Sequence, residues 1–147
     1  MTQGRAESIE LRSEVSELER LFAFIEQFCK RTGTPDSLKY KLFLVAEELA
    51  MNTISHGYGG RSDGPIALTL IRDDPAVELH FEDEAPAFDS LRDARGPDLE
   101  ASVADRRIGG LGVHLLKILS RSSSYAYERG RNVVRVTLEA EAESNPE

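Results

Sequence analysis

The sequence predicts an α+β fold, a two-layer α/β sandwich in which helices lie on one face of a mostly antiparallel mixed sheet. Two helical patterns come first, and two pairs of alternating segments follow, separated by a long charged stretch. Alternation is typical of strands with one buried face, and helical periodicity is typical of helices with one buried stripe. Such elements stack as two layers around one core, so residues 1–147 are predicted to form one domain with disordered tails at about 1–7 and 139–147.

Two helices are predicted in the first part of the chain. Residues 16–30 repeat apolar side chains at helical spacing, with Leu21, Ile25 and Phe28 on one face. A second helix is expected to follow the turn RTGTPDS and to run towards residue 55, with Thr34 as its cap and Pro35 at its first position. The glycines after residue 56 would end it.

The strands are predicted from alternation between turn residues. A hairpin is expected around the Asp-Asp-Pro turn at 73–75 and another around 129–131. Residues 89–108 are rich in charged side chains and show no helix or strand pattern. A segment of this length without such a pattern is uncommon unless it forms a lid or is disordered. A glycine-rich turn then opens an apolar helix that ends near residue 120. The predicted strands are residues 8–11, 66–72, 76–82, 125–128 and 133–138.

Composition limits the classes of function. The hydrophobic share of 40% and the charged share of 30% are those of a globular protein, and no apolar run is long enough to span a bilayer. A formal charge of -8 argues against non-specific binding to nucleic acid or anionic lipid. The single cysteine, Cys29, favours a reducing compartment. We therefore expect a cytoplasmic protein whose partners are proteins or small molecules.

A polar stripe marks the second predicted helix. Glu48, Asn52 and His56 recur at intervals of four, whereas most other side chains of this helix are apolar, so it is expected to be packed on most sides. A carboxylate one turn from a carboxamide supplies a proton acceptor and a neutral oxygen ligand. This pair suits a hydrated Mg²⁺ ion and a phosphate chain.

Two further segments carry weaker signals. The turn at 109–112 would bring backbone N–H groups and a helix N-terminus to an anion, although glycine at such a junction often serves only the turn. Asp83 ends a predicted strand, where its carboxylate could accept the exocyclic amine of adenine. The alternative is a solvated acidic turn on the surface.

In this order, EELAMNTISHGYGG, EDEAPAFD, a long loop and GGLGVHLLKILS closely resemble the ATP-binding fold shared by histidine kinases, type II topoisomerases, the heat-shock chaperone and mismatch-repair ATPases. The chain looks most like the small stand-alone members, the anti-sigma factor serine kinases of partner-switching systems. HGYGG and the final strand pair with its GRN turn are features of that subgroup. The resemblance covers residues 8–138.

The resemblance implies a role for each matching position. Asn52 would bind the Mg²⁺ ion that bridges the phosphates of ATP, Glu48 would be the catalytic base, and His56 would sit near the end of the same stripe. Asp83 would contact the adenine amine, and residues 89–108 would form the lid. The remaining nucleotide-binding positions implied are Ala85 and Phe88 in the adenine turn, Arg106 or Arg107 near the terminal phosphate, and Gly109, Gly110, Leu111 and Gly112 in the second glycine box.

The family's usual Asp-x-Gly-x-Gly reads DEAPA in this chain, from Asp83 to Ala87. Without its two glycines the turn beneath adenine loses easy access to positive φ and becomes stiffer.

The resemblance implies transfer of phosphate from ATP to a serine or threonine of an anti-sigma factor antagonist-like protein, with competition from a sigma factor. A homodimer is compatible with the first helix. Two alternatives stay open: a nucleotide-gated module that binds a partner without transfer, and a detached histidine-kinase catalytic domain.

Overall fold

The computed structural model describes residues 5–89 and 119–140. Within these ranges the chain forms five strands and two α-helices. A 3₁₀ turn, Val15–Glu17, precedes the first helix, and a π-helical turn, Thr53–Gly57, follows the second. The elements in chain order are β1 (Arg5–Arg12), α1 (Leu18–Thr32), α2 (Asp36–Asn52), β2 (Pro65–Asp73), β3 (Ala76–Asp83), β4 (Ser122–Glu128) and β5 (Arg131–Glu139).

The described strands form one sheet in the order β1-β2-β3-β5-β4, with every neighbouring pair antiparallel. The last hairpin therefore docks on β3 through its second strand. Its turn places Arg129 at φ 55° and Gly130 at φ 76°, the left-handed pair that suits the twist of a two-residue hairpin. The predicted α+β fold is confirmed, and the described part of the sheet is antiparallel throughout.

Strand alternation directs one face of the sheet towards the helices. On β3 the inward positions are Val77, Leu79 and Phe81, and Asp83 continues the same row. On β5 the inward row begins with Asn132 and continues with three apolar residues, Val134, Val136 and Leu138. Two polar residues thus end two apolar rows at the same end of the sheet.

Both helices bury one face on this sheet. α1 buries Leu21, Ile25, Phe28 and Cys29, and it ends at Gly33, whose left-handed φ of 69° allows its N–H to bond Cys29 O. Each such apolar side chain contributes roughly 1.5–3 kcal/mol when fully buried. The buried face of α2 consists of Leu38, Leu42, Val45, Ala46, Leu49 and Ala50.

Several predicted boundaries are wrong. Residues 5–7, assigned to a disordered tail, pair with residues 70–72 of β2, and Glu139 still belongs to β5. Pro35, not Thr34, is the N-cap of α2, because its extended backbone precedes Asp36 and its carbonyl accepts from Leu38 N and Lys39 N. Edge strands and caps depend on tertiary pairing that a local polar pattern does not reveal.

The expectation that α2 is packed on most sides is also wrong. Tyr40 is 60% exposed and Leu44 is 50% exposed, and Glu47 is exposed beside them. Sheet and α1 together cover only part of the helix surface, so the apolar residues of the outer side face solvent.

Residues 90–118, which include most of the predicted lid and the glycine-rich turn, lie outside the described residues. Leu119 packs against the core. In the part of the chain that the structure describes, neither helix combines the length and the apolar character needed to cross a membrane.

Candidate functional site

The last two turns of α2 carry the predicted acid and amide. Glu48 is half-buried, and its Oε2 atom has no hydrogen-bond partner among the described residues. Burial raises the pKa of Glu48, the hydrogen bond from Asn52 opposes this shift, and the charge of Glu47 adds to it. A carboxylate with a raised pKa and a free oxygen is suited to accept a proton at neutral pH.

A π-helical turn redirects the chain directly after Asn52. Tyr58 N donates to Thr53 O at 2.8 Å across this turn, so the spacing of α2 is not continued. Thr53 still continues the buried face of α2 that includes Leu49 and Ala50, whereas His56, within the turn, is exposed. Such π turns are rare and are frequently found at functional sites. The predicted stripe therefore ends at Asn52.

Asp83 lies at the end of β3 and is only 7% exposed. Its Oδ2 atom accepts from Thr53 Oγ1 at 2.9 Å, and its Oδ1 atom accepts from Ala85 N at 3.0 Å and from Asn132 Nδ2 at 2.8 Å. A carboxylate offers about four acceptor positions, so these bonds leave one on Oδ2. The buried charge is thus held in place and retains capacity for one more donor.

Asn52 and Asp83 line the same pocket between α2 and the sheet. The two groups are therefore brought together as the sequence predicted. The pocket is lined mainly by apolar side chains, with polar groups from Asn52, Asp83 and Asn132, and its volume is about 20 Å³, so its walls would have to move apart to admit a planar ring. The residues around it are Leu49, Asn52, Thr53, Gly57, Phe81, Asp83, Ala85, Pro86, Phe88, Asn132 and Val134.

Tyr58 fixes the loop that follows Asp83. Its hydroxyl donates to Pro65 O at 2.7 Å and accepts from Glu84 N at 2.7 Å. Its ring lies so close to Gly64 that a Cβ there would stand 2.5 Å from ring carbons, which explains the glycine. One side chain therefore connects the end of the π turn, the start of β2 and the loop beside the pocket.

The structure places the predicted site residues in three groups. Asn52, Asp83, Ala85 and Phe88 line the pocket, and Glu48 adjoins it through Asn52. His56 instead lines a neighbouring depression that shares Gly57, Ala85 and Pro86 with the pocket. Arg106, Arg107, Gly109, Gly110, Leu111 and Gly112 lie outside the described residues and stay predictions.

The sequence analysis missed Thr53 and Asn132 as members of the site. Asn132 is the register partner of Asp83, and both continue inward rows that are otherwise apolar. A polar residue in such a row needs a buried partner, and this was a readable signal. Thr53 lies at helical spacing from Ala46, Leu49 and Ala50 on the buried face of α2, so its burial was also a readable signal.

The donor set fits a nucleotide with Mg²⁺ better than a metal held by protein alone. No group of three or more His, Cys, Asp or Glu side chains that could hold a metal ion occurs among residues 5–89 and 119–140. Mg²⁺ usually keeps waters and takes one or two protein ligands together with substrate phosphates. The Asn52 amide matches that pattern, together with the nearby Glu48 Oε2 atom, which has no hydrogen-bond partner within residues 5–89 and 119–140.

This sheet, the helix with its acid and amide, and the buried aspartate opposite define a nucleotide-binding domain of the kind found in histidine kinases. The family model described as "Histidine kinase-like ATPase domain" matches residues 11–138, and the chain belongs to that family.

Curated relatives narrow the subgroup. The chain is 27% identical over 141 residues to the serine/threonine-protein kinase BtrW of Bordetella bronchiseptica, covering 96% of this chain and 99% of BtrW. It is 28% identical over 96 residues to the serine-protein kinase RsbW of Listeria monocytogenes, covering 63% of this chain and 61% of RsbW. It is 31% identical over 74 residues to the anti-sigma F factor of Priestia megaterium, with half of each chain covered.

Among solved structures, the chain is similar to the RsbU and RsbW domains of Rv1364c from Mycobacterium tuberculosis. The TM-score is 0.62 at 17% identity, with 92% of this chain and 32% of that chain covered. The histidine kinase AdeS of Acinetobacter baumannii is similar with a TM-score of 0.50 at 13% identity, covering 94% of this chain and 70% of AdeS. These likenesses support the fold.

Proposed function

We propose that this protein is an ATP-dependent protein-serine/threonine kinase that phosphorylates a small anti-sigma factor antagonist and thereby controls a sigma factor. The observation that carries the proposal is the position of Glu48. Its buried Oε2 atom has no hydrogen-bond partner among the described residues. Glu48 lies one helical turn from Asn52, and Asn52 shares a pocket with the buried Asp83. The names of the relatives support kinase activity and an anti-sigma role at the level of the family.

Asp83 would select the base. Its remaining acceptor position suits the exocyclic amine of adenine, whereas guanine presents a carbonyl oxygen that the carboxylate repels. When the wrong substrate binds and a buried polar group of the site is left without a hydrogen-bond partner, the site discriminates strongly against that substrate. Ala85 and Phe88 would contact the ring from the pocket wall.

Asn52 would hold Mg²⁺ on the phosphate chain. The ion neutralises phosphate charge when bound. Arg106 or Arg107, just before the glycine box, would contribute a guanidinium to the terminal phosphate. The backbone of residues 109–112 would contribute N–H donors to the same phosphates.

Glu48 would accept the proton of the partner's hydroxyl as that oxygen attacks the γ-phosphorus. The new bond joins the hydroxyl oxygen to phosphorus, the bond between the γ-phosphorus and its bridging oxygen breaks, and ADP leaves. The raised pKa of Glu48 makes its carboxylate a stronger acceptor than an exposed one. The proton then passes to water when the product departs.

A second candidate function is a nucleotide-gated module that sequesters its partner without phosphoryl transfer. The loop after Asp83 favours it, because Ala85, Pro86 and Ala87 stand where the family's glycines give a more adaptable turn. In that case ATP would change only the equilibrium between partner-binding states.

Incubation with γ-labelled ATP, Mg²⁺ and an anti-sigma factor antagonist-like protein tests the proposal. We expect acid-stable label on a serine or threonine of the antagonist. Binding of both ATP and the antagonist without label transfer would support the module. Acid-labile label on a histidine would instead indicate a detached histidine-kinase domain.

A further inference from the structure

Asn132 makes more hydrogen bonds to the pocket loop than any role in strand pairing requires. Its Nδ2 atom donates to Asp83 Oδ1 at 2.8 Å, to Ala85 O at 3.0 Å and to Pro86 O at 3.1 Å. Its Oδ1 atom accepts from Phe88 N at 2.9 Å and from Tyr125 Oη at 2.6 Å. At 5% exposure the side chain is buried, so these bonds form in a medium that strengthens them.

The chemistry of a carboxamide explains why asparagine stands at this position. Two N–H groups reach three acceptors, and one oxygen with two lone pairs meets two donors. An aspartate has the same shape, but its second carboxylate oxygen would face the Asp83 carboxylate and the carbonyls of Ala85 and Pro86, which are also acceptors. A leucine has similar volume and would satisfy none of the five groups.

The loop held by Asn132 is the one that lacks the family's glycines. Tyr58 holds Glu84 N and Asp83 holds Ala85 N. The carbonyls of Ala85 and Pro86 and the N–H of Phe88 bond the Asn132 side chain. Pro86 has no N–H and restricts its own φ. The loop therefore keeps its conformation through side-chain partners from β5 and from the π turn.

We infer that Asn132 is the positioning residue that fixes the adenine-contacting loop of this protein, with Tyr125 orienting its amide. The inference rests on the proposed nucleotide site. It explains how a loop without glycines presents Asp83, Ala85 and Phe88 to the base. Asn132 acts through these residues. None of its hydrogen bonds reaches Glu48 or Asn52.

Asn132→Asp is the most direct test. The substitution preserves the shape of the side chain and the acceptor for Phe88 N, but it replaces the hydrogen bond to Asp83 with repulsion between two carboxylates. We expect its dissociation constant for Mg²⁺-ATP, measured by calorimetry with a non-hydrolysable analogue, to rise about tenfold or more. The preference for ATP over GTP should fall as well, because repulsion displaces the Asp83 carboxylate. Circular dichroism at the same temperature establishes that the variant is folded.

Tyr125→Phe provides a second variant that removes one hydroxyl and keeps the ring. We expect ATP binding about two- to tenfold weaker, from loss of one hydrogen bond to the Asn132 oxygen. Tyr127→Phe is the matched control, because Tyr127 lies on the same strand and is exposed. It should bind ATP like the wild type. If Asn132→Asp does not fold, the two tyrosine variants decide the question.

Unchanged ATP affinity and base preference in Asn132→Asp, or equal ATP affinity in Tyr125→Phe and the wild type, would overturn the inference. A loss of stability without a change in base preference would also overturn it, since a merely structural residue behaves in this way. A wild-type protein that binds no Mg²⁺-ATP would overturn the proposed function together with the inference.

Discussion

Thr53 Oγ1 donates a hydrogen bond of 2.9 Å to Asp83 Oδ2, and both side chains are buried. This bond joins the π turn at the end of α2 to the end of β3. The helix that carries Glu48 and Asn52 is thereby held at a fixed position relative to the aspartate of the pocket. The proposed acid, amide and base-selecting carboxylate are therefore held close together although they come from two elements.

Thr53→Val should destabilise the protein by about 1–3 kcal/mol, because it removes a donor to a buried carboxylate without changing side-chain volume. Chemical denaturation measures this difference. Thr69→Val is the matched control, since Thr69 Oγ1 makes an exposed hydrogen bond of 2.8 Å to Ser8. The control should change stability by less than about 0.5 kcal/mol. Equal losses in the two variants would show that burial of the Asp83 bond has no special value.

Glu48→Ala should slow phosphoryl transfer by roughly a hundred- to ten-thousandfold and leave ATP affinity nearly unchanged, because a general base acts on the proton of the acceptor hydroxyl. Single-turnover transfer and equilibrium binding separate the two effects. Glu47→Ala, an exposed acidic neighbour on α2, is the control and should transfer at the normal rate. If Glu48→Ala transfers phosphate at the wild-type rate, Glu48 is not the catalytic base.

The pH dependence of stability should report the burial of Glu48. Its folded-state pKa is raised above the ordinary 4.5, chiefly by burial. Below pH 4.5 the carboxyl is therefore neutral in the folded and the unfolded state, and its burial does not reduce the free energy of unfolding. As pH rises from 4.5 through the folded-state pKa, the unfolded chain ionises first and the wild type loses stability. Glu48→Gln should therefore match the wild type in acid and exceed it at neutral pH in thermal melts. A constant difference at all pH values would contradict this assignment.

Tyr58→Phe should destabilise the protein by about 1–3 kcal/mol, because the ring stays on Gly64 while the Pro65 carbonyl and the Glu84 N–H lose their partner. It should also weaken ATP binding, since Glu84 adjoins Asp83. Tyr40→Phe, at a 60% exposed position, is the control for the loss of a hydroxyl. Retained stability in Tyr58→Phe would mean that water replaces both contacts without cost.

Much of this arrangement could be predicted from the sequence, for physical reasons that differ between residues. The alternation of β3 and β5 and the apolar face of α1 are periodic, so strands and helix follow from local pattern. That Asn52 and Asp83 belong to one site was implied by the resemblance to the histidine-kinase-like ATP-binding fold, and the two line one pocket.

Other features depend on the tertiary structure. The π turn that leaves His56 exposed has no pattern of its own in the sequence. The role of Asn132 depends on the register between β3 and β5, which pairs it with Asp83. Leu44, on the exposed outer side of α2, was predicted to be packed, because apolar composition does not reveal how many neighbours a helix has.

We propose that Asp83 and Asn52 together hold an adenine nucleotide with Mg²⁺. A thermal-shift titration of the wild-type protein with Mg²⁺-ATP and with Mg²⁺-GTP tests it most directly, because a ligand that binds only the folded state raises the melting temperature. We expect a concentration-dependent rise with ATP and a much smaller one with GTP. Equal shifts with both nucleotides, or no shift with either, would contradict the account.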